Sequence, residues 1–391
     1  MIRDILIQED EGLARLALLE DGELTELHVE QEGAQRVTGN IYLGCVTNVL
    51  PGIKAAFMDI GIDNKAFLSI RKIPASTARS LKPGWELLVQ VKSEPVGDKG
   101  YSVSFFIDLP GRLTVLKPFA AVTGISAKIH EADRPRLTAM ADKLKPDGMG
   151  LLIRTAAENA GDDELERDVA ALIKLWNAIC LRAEHAVAPV LIHREEALEC
   201  QAVRDMLAGD VRALLVDNKT RFDRTRAAAE MIAPDYARVI QYDEGETRLF
   251  NRYRVHSRIE QALSTRVWLK SGGYLVFDYT EAMTVIDVNT GKFTGGDPRS
   301  DMAFDLNLEA AEEIARQIRL RNIGGIIIID FIGMDNPGRC ERLIEAFRQH
   351  LKKDRVSTQL MGFTALGLVE MTRKNTGIPL RFAVRNIQAG E

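Results

Sequence analysis

The 391-residue chain has little of what staples or anchors a fold. Its four cysteines, Cys45, Cys180, Cys200 and Cys340, are scattered and form no CxxC pair. That argues against a disulfide framework or a thiolate zinc site, and fits a reducing cytoplasm. Long hydrophobic runs are absent: the longest, around Gly324 to Ile329, is far short of the roughly 20 residues a membrane helix needs. A basic excess is absent too, since 51 Lys and Arg against 56 Asp and Glu leave a net charge of −5. A uniformly basic nucleic-acid coat is thereby excluded. The start, MIRDILIQEDEG, turns acidic within ten residues, unlike a secretory signal, so a cytoplasmic protein is expected. GxSxG, Walker and GxGxxG patterns are missing, which argues against acyl transfer, P-loop hydrolysis and dinucleotide binding. The six histidines stand alone, never at metal-ligand spacing.

What is present is uneven charge and regular patterning. Residues 1–36 carry three Arg against ten acids, a balance of −7; residues 37–118 carry ten basic residues against six acids, +4; residues 251–391 carry 20 against 17, +3. A local basic face attracts phosphates even on an acidic protein, because screening confines the field to about a Debye length. The first segment alternates as β, with Asp21-Gly22 as a hairpin dipeptide. From Val37, five short strands in about 70 residues predict a small closed barrel of the OB type. Residues 119–210 mix strands with a long amphipathic helix, DDELERDVAALIKLWNAICLRAE. In the last third, GYLVFDYTEAMTVIDVN predicts two strands joined at Thr280-Glu281. NLEAAEEIARQIRLRN predicts a helix with Asn307 as N-cap and Gly324 as the residue past its C-terminus. IIIID predicts a fully buried strand.

Two carboxylates stand out. Asp287 and Asp330 each end an apolar strand, and the strands are separated by one helix. Neighbouring strands would bring the two together at one sheet edge. Paired carboxylates repel unless a proton or a divalent cation lies between them, and oxygen ligation suits magnesium or manganese. Asn289, two residues on, faces the same way as Asp287 and could orient water or a phosphate oxygen. The plainer alternative is that each Asp caps a helix or turn. Gly291, Gly295 and Gly296 would allow close phosphate approach or form a simple loop. In the barrel, Phe57 and Phe67 are candidates for base stacking or for core, and Lys65 and Lys99 for phosphate contact or plain solvation. Arg154 and Thr155 place a guanidinium and a hydroxyl at a strand end, suited to a terminal phosphate or to a surface salt bridge. Gly111, in LPGR, would offer a bare N–H to the same anion or make a turn.

With those residues assembled, the chain resembles the ribonuclease E/G family over about Met1 to Lys374. The segments GNIYLGCVTNVLPGIKAAFMDIG, GLLIRTA, SGGYLVFDYTEAMTVIDVNTGKFTG, NLEAAEEIARQIRLRNIGGIIIIDF and GLVEMTRK carry the resemblance. It implies a metal-dependent endoribonuclease that cuts single-stranded, AU-rich RNA, favours 5′-monophosphorylated ends, and acts in RNA processing or decay. It implies an α+β multi-subdomain fold: a split RNase H-like subdomain (1–36 and 212–265), an OB-type barrel (37–118), a 5′-phosphate sensor region (119–211) and a DNase I-like subdomain (266–385). By position, Asp287 and Asp330 match the family's metal-binding aspartates and Asn289 the asparagine assisting them. Phe57, Phe67 and Lys99 match RNA-contacting positions. Gly111, Val115, Arg154 and Thr155 match the 5′-phosphate sensor, the first and second through their backbones.

Three segments depart from the family pattern. GIPLRFAVRNIQAGE stands where a CPxCxGxG zinc link is usual and contains no cysteine, so the expectation is no zinc and a monomer or homodimer. DFIGM has Gly333 where the family has a second Asp, and GISAKI is less basic than GISRRI. These departures motivate the rival reading, a catalytically weak or inactive RNA-binding member.

Overall fold

The computed structural model describes residues 1–31, 37–62, 65–74, 81–95, 100–291, 301–334 and 336–383. The chain forms two compact units: Met1–Glu30 with Asp210–Lys219 and Gln241–Glu391, and Gln31–Gly209 with Thr220–Ile240. Both mix helices with sheet, so the fold is α+β.

The first unit holds two sheets. One has the strand order Ile240–Tyr242, Val211–Val216, Arg3–Asp10, Leu13–Glu20, Glu23–Gln31. Arg3–Asp10 runs parallel to Val211–Val216, so two segments distant in sequence share one sheet. Asp21 and Gly22 both adopt positive φ (48° and 83°), the two-residue hairpin turn predicted there.

The other sheet carries the carboxylate edge. Its order is Arg266–Trp268, Tyr274–Tyr279, Met283–Asn289, Gly325–Asp330, Val369–Arg373, Thr358–Phe363. Helices Asp301–Leu320 and Pro337–Leu351 pack on one face, where Ile286, Ile327 and Ile329 meet Ile314, Ile318 and Phe347 in one core. Each such side chain contributes about 1.5–3 kcal/mol by leaving water.

Three expectations are corrected here. The Gly325–Asp330 strand is covered on one face only: Ile327 and Ile329 are buried while Ile326 is 46% exposed. A run of four isoleucines cannot reveal whether a sheet is covered on one side or both. Asn307 is not an N-cap, because the helix begins at Asp301 and Asn307 lies fully buried within it. Gly324 is not the terminating residue either. Asn322 takes the left-handed conformation (φ 48°), Ile323 N donates to the Ile318 carbonyl and Asn322 N to that of Arg319. This is a Schellman motif with asparagine in the usual glycine place.

The second unit contains the barrel. Strands Ile41–Leu50, Ala55–Asp59, Ala66–Ser69, Ser102–Ser104 and Glu86–Ser93 pair in that order, and Glu86–Ser93 returns to Ile41–Leu50. In chain order this closed ring reads 1-2-3-5-4, an OB-like barrel as predicted, filled by Val46, Met58, Leu68, Val89 and Val103. A separate sheet orders Thr123–Ile125, Gly150–Ile153, Thr114–Lys117 and Leu109–Pro110. The last two strands, expected within the barrel block 37–118, therefore belong to this second sheet. Helix Asp162–Glu184 packs on it through Leu165, Val169 and Leu172. Among the described residues no helix is long and apolar enough to cross a membrane.

Candidate active site

Asp287 and Asp330 are direct partners across the parallel strands Met283–Asn289 and Gly325–Asp330. Paired residues point to the same face, and this is the face the helices leave open. Asp330 is exposed and Asp287 half-buried. Asn289 Nδ2 donates to Asp287 Oδ2 at 2.7 Å, so the amide fixes one carboxylate oxygen. Among the described residues neither aspartate forms an ion pair with a basic side chain. No described group of three or more His, Cys, Asp or Glu is gathered as for a metal cage. Two unneutralised carboxylates and one amide fit a hard cation that completes its shell with water and phosphate oxygens, the habit of magnesium.

Helix Asp301–Leu320 fixes both ends of this edge. Asn307 Nδ2 donates to the Ile332 carbonyl (2.8 Å) and its Oδ1 accepts from Ile332 N (3.0 Å), clamping the chain two residues past Asp330. Glu309 accepts from Lys270 N at 2.6 Å and from Ser271 N at 3.3 Å, holding the turn before Tyr274. That turn needs its glycines: a Cβ at Gly273 would lie 2.9 Å from the Asn289 carbonyl oxygen, and one at Gly291 2.3 Å from that of Gly272. The SGG turn is thus pressed against the strand end that presents Asn289. Gly295 and Gly296 lie outside the described residues.

In the barrel, Phe57 and Phe67 are cross-strand partners with ring centroids 6.1 Å apart, edge to face. Phe67 is 38% exposed and Phe57 half-buried, so the pair offers an aromatic edge at the barrel surface. Lys99 lies outside the described residues. Lys54, Lys65, Arg71 and Lys82 are exposed. Lys92 and Lys117, by contrast, are tied to Asp108 at 2.8 and 3.0 Å.

At the positions expected to receive a 5′-phosphate, the side chains are more engaged than the sequence implied. Arg154 Nη1 donates to the Gly111 carbonyl at 2.5 Å, and Nη2 pairs with Asp205 at 2.7 Å. Burial pushes the Asp205 carboxyl up, but the Arg204 and Arg154 guanidiniums outweigh it and hold it down at about 2. Thr155 Oγ1 is 2.8 Å from Ser126 Oγ. Val115 sits between Pro110 and Leu152 in the sheet. Gly111 does not offer a bare N–H: it donates to the Thr114 carbonyl at 2.8 Å. The N–H groups of Arg112 and Thr114 are filled by the Asp168 carboxylate at 3.0 and 2.9 Å. A Cβ at Gly111 would lie 2.5 Å from Asp168 Oδ2, so the glycine makes room for that carboxylate. Asp168 and Asp205 were missed from sequence. Asp168 left one trace: it falls on the apolar stripe of Leu165, Val169 and Leu172, where a carboxylate is costly unless bonded.

Residues 108–376 match the Ribonuclease E/G family. The chain belongs to that family. It is 38% identical to Ribonuclease G of Escherichia coli (strain K12), over 96% of this chain and 80% of that protein. It is 37% identical to Ribonuclease E of Nostoc sp. (strain PCC 7120), over 96% of this chain and 56% of that one. It is 38% identical to Ribonuclease E of Escherichia coli (strain K12), over 92% of this chain and 35% of that protein. The SGGY, VIDVN and IIIIDF segments that build the carboxylate edge lie within the matched residues.

Proposed function

We propose that this protein is an endoribonuclease of RNA processing or decay that cuts single-stranded, AU-rich RNA with a divalent cation and favours 5′-monophosphorylated ends. The observation that carries the reading is the register of Asp287 with Asp330 on the open face of the sheet. These two carboxylates would hold magnesium or manganese. When bound, the ion supplies an activated water and charge stabilisation at the phosphate. Asn289 keeps Asp287 oriented by its hydrogen bond, and Asn307 holds the end of the Asp330 strand in place. The Phe57 and Phe67 edge would stack unpaired bases, with Lys99 and the exposed lysines around it taking backbone phosphates. Arg154 and Thr155 would receive the terminal phosphate, Arg154 through donors beyond those it spends on Gly111 and Asp205. Gly111 and Val115 would shape that pocket. We assign the sheet built from 1–36 and 212–265 as RNase H-like, supported by its antiparallel meander extended by a parallel strand from later in the chain. Residues 266–385 we assign as DNase I-like.

Cleavage of one short RNA, prepared with a 5′-monophosphate, a 5′-hydroxyl or a 5′-triphosphate, tests this reading with and without magnesium. Cleavage that needs magnesium and is fastest for the monophosphate is expected. Metal-independent cleavage would remove the carboxylate site from the account, and equal rates for the three ends would remove the sensor.

A further inference from the structure

The open face of the carboxylate sheet carries an aromatic cluster that neither the barrel nor the aspartates explain. Trp268 is 60% exposed, whereas Trp176 is buried. It pairs across the sheet with Tyr274, which pairs in turn with Asn289. In the next row Arg266 pairs with Val276, Val276 with Asp287 and Asp287 with Asp330. All of these side chains therefore share one face. The Trp268 and Tyr274 centroids are 5.2 Å apart, and the Arg266 guanidinium carbon lies 4.4 Å from the Tyr274 centroid and 5.9 Å from that of Trp268. Strands are spaced about 4.8 Å apart, so Tyr274 lies one strand from Asn289 and Trp268 two, roughly 10 Å away. A cationic, solvent-facing pair of rings, tilted 58° to each other and one nucleotide's reach from a phosphate site, is suited to one kind of ligand.

We propose that Trp268, Tyr274 and Arg266 form a base-stacking subsite for the unpaired nucleotide beside the scissile phosphate. This rests on the assignment of Asp287 and Asp330 as the cleavage site. Every base offers a π-face to an aromatic ring, and Arg adds a cation over it, so the subsite is tolerant of sequence but demands an unpaired strand. Arg266 also brings positive charge toward the backbone, two strands from Asp287 and three from Asp330 on the same face. The platform thus supplies a reason, at the site itself, why single-stranded RNA is taken and a duplex is not.

The test uses the full chain and a 5′-hydroxyl oligonucleotide, which leaves the 5′-sensor out, with single abasic nucleotides placed on either side of the cleaved bond. For the unmodified protein, one abasic position is expected to raise KM at least about fivefold, since stacking of one base is worth that much or more. Trp268→Ala is expected to raise KM on intact RNA by the same factor, change kcat less than about twofold, and show no added penalty on the abasic RNA. Trp268→Phe should recover most of the loss. An unchanged KM in Trp268→Ala, or an abasic penalty equal in both proteins, would overturn the subsite; so would capture of a protein, and not RNA, by this face. A second readout does not depend on cleavage. In Asp330→Asn carrying Trp85→Phe, which removes the half-buried barrel tryptophan, RNA should quench tryptophan fluorescence, and adding Trp268→Phe should abolish the quenching; quenching that persists would contradict the proposal. Absence of magnesium-dependent cleavage in the unmodified protein, with Trp268 quenching intact, would instead fault the cleavage-site assignment.

Discussion

At the residue scale, the proposed function rests on two carboxylates in register, Asp287, whose Oδ2 accepts from Asn289, and Asp330. Asp287→Asn and Asp330→Asn are expected to lower single-turnover cleavage at least about a hundredfold, because the metal's charge stabilisation is worth several kcal/mol. RNA affinity by fluorescence anisotropy should stay within about twofold. Gly333→Asp is the reverse experiment. A Cβ at Gly333 meets nothing within 4 Å, so the larger side chain fits. It is expected to raise cleavage severalfold at limiting magnesium; no change would show that the missing carboxylate had no role. For the 5′ end, Arg154→Ala should abolish the monophosphate preference, on the order of tenfold from one or two charge-assisted bonds, and leave the 5′-hydroxyl substrate's rate nearly unchanged. The preference should also fade as pH drops through about 6, where the RNA's own phosphate loses its second charge. The Asp205 pair adds nothing to that change. Asp205 is held at about 2, so its stabilising pair is complete above its ordinary value of 3.8 and is lost only as pH falls toward 2. A midpoint well above 6, or a rise of preference on acidification, would contradict this.

At the element scale, the helix Asp301–Leu320 is the organiser of the site. Asn307→Leu keeps size and helix propensity but leaves the Ile332 N–H and carbonyl unpaired, a cost of about 1–3 kcal/mol for each orphaned group. A Tm several degrees lower and a weaker apparent magnesium affinity are expected, both read on the same preparation. Asn307 shows where sequence reading stopped. The asparagine that opens NLEAAEEIA looks like a cap, because capping and mid-helix bridging use the same amide, and only the position of Ile332 distinguishes them. The Asp287 and Asp330 positions were legible because an ionised group ending an apolar strand is costly at any sheet edge. The five barrel strands were legible too, from their period and turns. Asp168 and Asp205 were not, because Arg112 and Thr114, which bond Asp168, and Arg154, which meets Asp205 beside its neighbour Arg204, lie some 50 residues away in sequence. The open face of the sheet was hidden for a different reason: Ile326 and Ile328 are as apolar as Ile327 and Ile329.

At the scale of the whole molecule, a net charge of −5 conceals basic surface on the barrel. Lys92 and Lys117 are spent on Asp108, while Lys54, Lys65, Arg71 and Lys82 are exposed. Four phosphate contacts would give a slope of about −3 for log affinity against log salt, at roughly −0.7 per phosphate of a single strand. Reversing Lys65 and Lys82 to Glu should flatten that slope by at least half; a salt-independent affinity in the unmodified protein would take the barrel out of RNA binding. Fold and chemistry were readable to different depths. Family membership rests on most of the chain, whereas the site roles rest on a few side chains that mutagenesis must assign.

The most direct test of the central claim is single-turnover cleavage of a 5′-hydroxyl RNA by the unmodified protein and by Asp330→Asn, titrated with magnesium. The account predicts saturable, magnesium-dependent cleavage in the first and loss of at least about a hundredfold in the second, with RNA still bound. An Asp330→Asn protein that cuts at the unmodified rate in saturating magnesium would contradict it.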